Sequence, residues 1–532
     1  MDKMTTWIKT SLSLLVLYTV IGFYPFEFEA DAMILNPKSV VFTGTVGMPP
    51  PPPQYLNLEP EKSSNGNTWS VTADVPWLQV SPTAGISPSE VSLLVTTSGL
   101  SPGVYFGDVL FSEDAGTDNP QIAHVTLVLN ANWPVKVATW KDAHKGAVSI
   151  STDDGKLSCI DQLTQNSYNG TYFLPNINQP SYFADLYHAG IELGGHTVNH
   201  SCWGHISAEV YRTQEIEPNI QGICSLPIFC SDIVSLAWPC GTTYPDWQAV
   251  TSDYFLSARG YNMNQLEDPT PANFQNLRSF NSHEHFPFPP EDLKTVVDMA
   301  ELQGKWAILV FHDFCNDNGA INHAASKDVW VAPIGTVVKY ILQRDRFILT
   351  NFNEVSNRLS FSVSRIEVAP SPVRSFETAF GSNDVVTLLV DIDDLRPVDE
   401  VRVNGIIHPY QLKTDDGNVM LQLNTLLFVT STSVEIFYKN PEISLNPTSL
   451  NFSMVEGSAP SNQTIAVSNS GGGSLSWTAL ADSALPAWLS VSPASGTGNA
   501  SLTVSVNASG LLPGIYSKSI TVSAPGATNT LA

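Results

Sequence analysis

Lys145–Gly155 reads KGAVSISTDDG. An apolar run, Ala147 to Ile150, ends in two adjacent carboxylates, Asp153 and Asp154, and then a glycine. A strand that carries acids to its C-terminal mouth is where α/β folds keep their chemistry. A DDG turn closing an ordinary strand has the same letters. Two later stretches favour the chemical reading. GGHTVNH, Gly194–His200, sets His196 and His200 four residues apart, and LVFHD, Leu309–Asp313, ends a second apolar run in His312.

Around this stretch, from about Trp140 to Phe352, strand-like and helix-like segments alternate. The strands are expected at Ala147–Ile150, Thr171–Leu174, Ile191–Leu193, Ile233–Trp238, Phe255–Ala258, Trp306–Phe311 and Phe347–Thr350. Helical patterns fall between them: Ser181–His188 before Gly190, Glu291–Gln303 before Gly304, and Thr336–Gln343. This alternation predicts parallel strands with crossover helices, hence a barrel or an open α/β sheet, and the length suits a small or incomplete barrel.

The flanks have a different rhythm. Over Met33–Asn130, short β-rich runs such as Val91–Thr96 and Ile122–Leu129 are broken by Pro, Gly and Ser, with an extended loop at Pro49–Pro53. That is the pattern of a β-sandwich. The segment recurs at the far end of the chain. LNPKSVVF at Leu35 matches LNPTSLNF at Leu445, WLQVSPTAG at Trp77 matches WLSVSPASG at Trp488, and SGLSPGVY at Ser98 matches SGLLPGIY at Ser509. Matched blocks in one order make a repeat. The second copy reaches Ala532 without a counterpart of Ile122–Leu129, so it is expected to be a fragment or to close differently. Trp69, Trp77, Trp477 and Trp488 are expected to pin the β cores rather than to stack on sugars. Between barrel and second copy, Ser362–Lys439 reads as a small antiparallel domain with alternating runs at Val385–Val390 and Ser433–Tyr438. Its Asp391, Asp393 and Asp394 lack the spacing of a calcium loop and read as a solvated turn.

The 532 residues allow three or four domains. Fifty acids against 25 bases give a net charge of −25 without a basic block, which argues against nucleic acid as a partner. Lys3, Lys9, the apolar core Leu12–Phe23 and Ala30-Asp31-Ala32 read as an export signal, with an uncleaved anchor as the alternative. The six cysteines all fall between Cys159 and Cys315. Outside the cytosol an even number suggests disulfides, with Cys224 and Cys230 near enough for a local loop and a mixture of bridges and free thiols as the alternative.

Asp154, His196 and His200 together make a zinc set. Two imidazoles and a carboxylate hold the ion and leave a position for water, whose acidity the metal raises. Asp153 is then the base that takes the proton of the attacking water, and His312 the acid for the leaving group. For His312 the competing role is a satisfied core histidine.

These motifs resemble those of the polysaccharide deacetylase (NodB-homology) family of carbohydrate esterases. STDDG stands where that family has TFDDG, NGTYFLP at Asn169 resembles its second strand, and GGHTVNH its H-[ST]-x-x-H motif. AWPCG at Ala237 resembles its proline-glycine loop and LVFH its closing leucine-histidine motif. The resemblance implies a distorted (β/α) barrel that removes acetyl groups from N- or O-acetylated sugars. It makes Asp153 the base, Asp154, His196 and His200 the metal ligands, His312 the acid, and the backbone N–H of Cys240 an oxyanion donor. Two positions depart from the pattern. The loop arginine is replaced by Ala237 and the loop tyrosine by Cys240, so Arg278 in NLRSF is the candidate to restrain the base. The Asp-Trp motif behind the acid histidine is not evident, with Trp306 a remnant at most. His283 and His285 read as a solvated loop. The flanking repeats resemble the BACON-like family of bacterial β-sandwich modules, often found beside carbohydrate-active domains.

The expected architecture is therefore multidomain: a distorted (β/α) barrel catalytic domain with flanking all-β immunoglobulin-like sandwich domains. The divisions are a signal over 1–32, a BACON-like sandwich over 33–132, the barrel over 140–360, a small β domain over 362–440, and a second BACON-like sandwich, truncated or closing differently, over 441–532. The expected function is that of a secreted, periplasmic or cell-surface deacetylase. It would depend on a divalent metal, zinc by the ligand set, and act on an acetylated polysaccharide, N-acetyl on amino-sugar glycans before O-acetyl on xylan. The rival is a catalytically inactive carbohydrate-binding or adhesion protein.

Overall fold

The computed structural model describes residues 33–60, 68–113, 121–154, 160–177, 180–200, 202, 204–261, 264–281, 292–312, 319–355, 357–366, 384–392, 397–415, 418–455, 458 and 460–532. The expected signal, Cys159, Cys315, His283, His285, Asp393 and Asp394 lie outside them. Among the described residues no helix is long and apolar enough to cross a membrane.

The central sheet has eight strands: β1 Gly146–Thr152, β2 Thr171–Leu174, β3 Glu192–Gly195, β4 Ser235–Ala237, β5 Ser257–Arg259, β6 Phe280–Asn281, β7 Trp306–Phe311 and β8 Val329–Val331. Their order is β5-β4-β3-β2-β1-β7-β6, and every pairing is parallel. One edge of β1 is shared: β2 takes Ser151 and Thr152, and β8 takes Gly146 to Val148. A parallel bridge between Arg259 and Leu277, just ahead of β6, curls the sheet toward closure. Both β1 and β7 are buried at every position, as a strand covered on both faces must be; β7 is accordingly apolar throughout, while β1 buries Ser149 and Ser151 with their hydroxyls donating to Ala332 O and Leu309 O.

Helices α1 Pro180–His188, α2 Glu217–Cys224, α3 Leu293–Gln303 and α4 Ile334–Arg344 lie among the strands. The ends of α3 follow its letters. The Asp292 side chain accepts from Lys294 N, and Gly304 closes the helix at φ 69°, a left-handed turn that costs glycine little.

One expected barrel strand belongs elsewhere. After α4, β9 Phe347–Val355 leaves the parallel sheet and pairs antiparallel with β10 Arg358–Arg365. From there a second sheet continues through Thr432–Tyr438, Val398–Val403 and Ile406–Ile407. The facing sheet joins Val135–Val137, from before the barrel, to Val386–Asp391, Asn418–Thr425 and Gln411–Asp415. The small β piece thus takes strands from both ends of the barrel segment. The two also share one core, with Val337 and Ile341 of α4 packed among Val386, Leu388, Leu421 and Ile436.

The N-terminal module has a four-stranded and a five-stranded sheet around Phe42, Leu56, Trp69, Val91, Phe111 and Leu127. It is pinned to β9 by Asn130, whose Nδ2 donates to Phe347 O while its Oδ1 accepts from Leu349 N. Trp69, Trp77 and Trp477 are buried in their module cores, and Trp488 is partly buried beneath Lys518.

Candidate active site

Strand register brings the chemistry together. In the β1–β7 ladder Thr152 faces Phe311, so Asp153 and His312 leave the sheet side by side, and Asp153 N donates to Phe311 O at 3.1 Å. In the β3–β4 ladder Gly195 faces Leu236, which sets His196 beside Ala237. In the β4–β5 ladder Ala237 faces Arg259. These residues therefore meet at the C-terminal ends of parallel strands, where α/β sheets place their sites.

Asp154, His196 and His200 offer ligand atoms that all lie within 4.8 Å of one another. Asp154 Oδ1 is 3.7 Å from His196 Nε2 and 3.4 Å from His200 Nε2. The tautomers follow from what stands behind each ring. His196 Nδ1 is 2.9 Å from Ala237 O, a carbonyl that can only accept, so the proton is on Nδ1. His200 Nδ1 is 3.4 Å from Cys202 Sγ. That sulfur is bonded to Cys240 and has no proton, so again the ring N–H donates. Both Nε2 atoms then face one carboxylate oxygen. His196 Nε2 is buried and has no hydrogen-bond partner. Burial also holds His196 below the usual imidazole range, against the pull of Asp153. A carboxylate oxygen and two ring nitrogens converging on one point can serve as a cation's donor set, and two nitrogens with one carboxylate suit zinc.

The loop that carries the imidazoles is held from behind. Glu215, buried on a π-helical turn, Arg212–Ile216, accepts from Val198 N and Asn199 N and from Asn199 Nδ2, each at 3.0 Å. In α2, Asn219 Oδ1 accepts from His196 N, while its Nδ2 donates to Leu174 O and Pro175 O. Asp154, Thr197, His200 and Cys240 all have φ between 50° and 62°. Left-handed non-glycine residues gathered at one place are backbone strain that the surrounding contacts must sustain.

Asp153 is 2% exposed. Burial pushes its carboxyl up, but the charges of Arg259, His196 and His312 outweigh this and hold it below the usual carboxylate range. Arg259 Nη2 donates to Asp153 Oδ1, and its guanidinium lies 5.2 Å from the centre of the Phe173 ring. His312 Nε2 is 3.5 Å from Asp153 Oδ2. The Tyr261 ring meets the His312 ring edge-on at 5.4 Å. A Cβ on Gly241 would lie 2.8 Å from Tyr261 Cβ, so the Pro239-Cys240-Gly241 loop packs on the same residue.

Two expectations are corrected. The guanidinium beside Asp153 is that of Arg259; Arg278 instead pairs with Glu267 and Asp268, two acids that take its charge away from the site. Trp306 is not behind His312. It lies at the opposite end of β7, buried, with its Nε1 donating to Ser149 Oγ, and Tyr261 is the aromatic neighbour of His312. Cys224 and Cys230 form the local disulfide expected of them. Among the described residues no cysteine is free.

Residues 442–532 match the family model of the viral BACON domain. A gellan lyase from a Bacillus species is 23% identical over 288 residues, which cover 44% of this chain and 11% of that protein. The chain thus spans only a small part of that relative's length. Among solved structures, a family 4 carbohydrate esterase from Streptomyces lividans in complex with acetate is 18% identical, with 36% of this chain and 93% of that chain covered and a TM-score of 0.24. The catalytic domain of a peptidoglycan N-acetylglucosamine deacetylase from Eubacterium rectale is 16% identical, with coverages of 38% and 94% and a TM-score of 0.26. A xyloglucanase from Bacteroides ovatus is 9% identical, with coverages of 55% and 98% and a TM-score of 0.22.

Proposed function

We propose that the chain is a metal-dependent deacetylase acting on an acetylated polysaccharide outside the cytosol. The observation that carries the reading is the convergence of Asp154, His196 and His200 beside a buried Asp153 and an adjacent His312. Asp154, His196 and His200 would hold the divalent ion, zinc by the chemistry of the set. When bound, such an ion supplies Lewis acidity, polarising the acyl carbonyl and making water acidic near neutral pH.

The protein groups do the rest. Asp153, kept anionic and oriented by Arg259, accepts a proton from the water as its oxygen bonds to the acetyl carbon. The backbone N–H of Cys240 stabilises the charge that develops on the acetyl oxygen. His312, as imidazolium beside Asp153, gives its proton to the sugar nitrogen as the C–N bond breaks. Acetate and a free amino sugar leave, and an O-acetyl ester would be cleaved by the same transfers. N-acetylated amino-sugar glycans are the favoured class, because an amine leaving group has the greater need of an acid.

The test is metal analysis of the purified chain, followed by acetate release from chitin oligomers, peptidoglycan, exopolysaccharide and acetyl-xylan. Release from one of these that is lost in Asp153→Asn is expected. Zinc binding without acetate release from any glycan would favour a sugar-binding protein instead.

A further inference from the structure

The two disulfides described differ in placement. Cys224–Cys230 closes a short loop at the end of α2. Cys202–Cys240 joins residues 38 apart and ties the loop that carries His196 and His200 to the Pro239-Cys240-Gly241 loop. Thr242 Oγ1 adds a second tie to the same place, donating to Cys202 O at 2.8 Å.

Histidines that ligate a metal almost always donate their other ring N–H to a carboxylate, a carbonyl or water, and that partner fixes tautomer and ring orientation. His196 obeys, with the Ala237 carbonyl behind it. His200 is different: the atom behind its Nδ1 is a disulfide sulfur, Cys202 Sγ, at 3.4 Å. At φ 50° the backbone of His200 is itself in a conformation that L residues rarely hold, and so is that of Cys240 at φ 54°.

We infer that the Cys202–Cys240 disulfide is a positioning element of the metal site: its sulfur accepts a hydrogen bond from the His200 Nδ1–H, and its covalent tie holds the ring so that Nε2 faces Asp154 and His196. The inference rests on the metal reading given above and adds the part that sets its affinity. It makes cystine formation a condition of tight metal binding, beyond any effect on folding.

The experiment measures zinc affinity of the full chain by competition with a chromogenic chelator. The wild type is compared with Cys202→Ala/Cys240→Ala and Cys224→Ala/Cys230→Ala, with a melting curve for each. Loss of a metal ligand's hydrogen-bond partner weakens binding about 10- to 100-fold. A weakening of that size is expected in the first pair and none in the second. Equal affinity, within about twofold, in wild type and Cys202→Ala/Cys240→Ala would overturn the role of the disulfide while leaving the metal site intact. Absence of zinc binding in the wild type would instead overturn the metal reading itself. Should the first pair not fold, imidazole ¹⁵N shifts of zinc-loaded wild type decide. A His200 proton on Nδ1 with the metal on Nε2 supports the assignment, and the reverse overturns it.

Discussion

Arg259 reaches Asp153 across 106 residues of sequence, and both side chains are almost wholly shielded from water. A buried pair of this kind is costly to break, because the charge left behind has no solvent to turn to. Arg259→Met should destabilise the chain by about 3–5 kcal/mol, read in denaturant unfolding. The cost should largely disappear in Arg259→Met/Asp153→Asn, which leaves no orphaned charge. If the single and double variants unfold alike, the pair is not coupled as the geometry requires.

Glu215 grips the loop that carries the imidazoles. Removing its three acceptor contacts with Glu215→Ala should lower zinc affinity by about 10- to 100-fold, with Asp154, His196 and His200 untouched. Isothermal titration with zinc measures this directly. An unchanged affinity would mean that the loop holds its shape without the carboxylate.

Tyr261 faces His312, the proposed acid, with a ring edge. Such aromatic pairs are worth about 0.5–1.5 kcal/mol, so Tyr261→Ala should lower kcat by up to about tenfold. Tyr261→Phe keeps the ring and loses only the contact with Asn281. It should retain most of the activity. Equal losses in the two variants would shift the role from ring to hydroxyl.

Glu192 is half-buried at the start of β3, where it accepts from Thr171 Oγ1, Ser235 Oγ and Gly335 N. Burial raises its carboxyl above the ordinary 4.5 despite these bonds. The folded chain therefore keeps a proton that the unfolded chain gives up. That contribution to stability is complete below about 4.5 and is lost as pH rises through the raised value. Melting curves of wild type and Glu192→Gln should consequently separate as pH rises, with the glutamine variant gaining. A pH-independent difference would contradict this.

The proposed ligand and acid–base residues stood out because each sits in a short motif at the end of a strand-like run, and the unbroken apolar letters of β7 mark a buried strand. Arg259 was not. Nothing in SARGY marks it, and its partner depends on how far the sheet curls, which spacing does not encode. Glu215 and Asn219 were invisible for a related reason: their function is to accept and donate to a loop, and a helix surface carries such letters without one. The short strands β6 and β8 have too few residues for any periodicity. The apolar letters of Phe347–Thr350 showed a strand but could not show which sheet receives it.

That last strand has a practical consequence for anyone dissecting the polypeptide. Because β9 and Val135–Val137 are stitched into the neighbouring sheets, a gene fragment spanning 140–360 would cut through shared hydrogen-bonding ladders and strip the cover from α4. The smallest piece that keeps those ladders whole runs from before Val135 to beyond Tyr438. A shorter excision should yield aggregated material, whatever the state of the side chains proposed for catalysis.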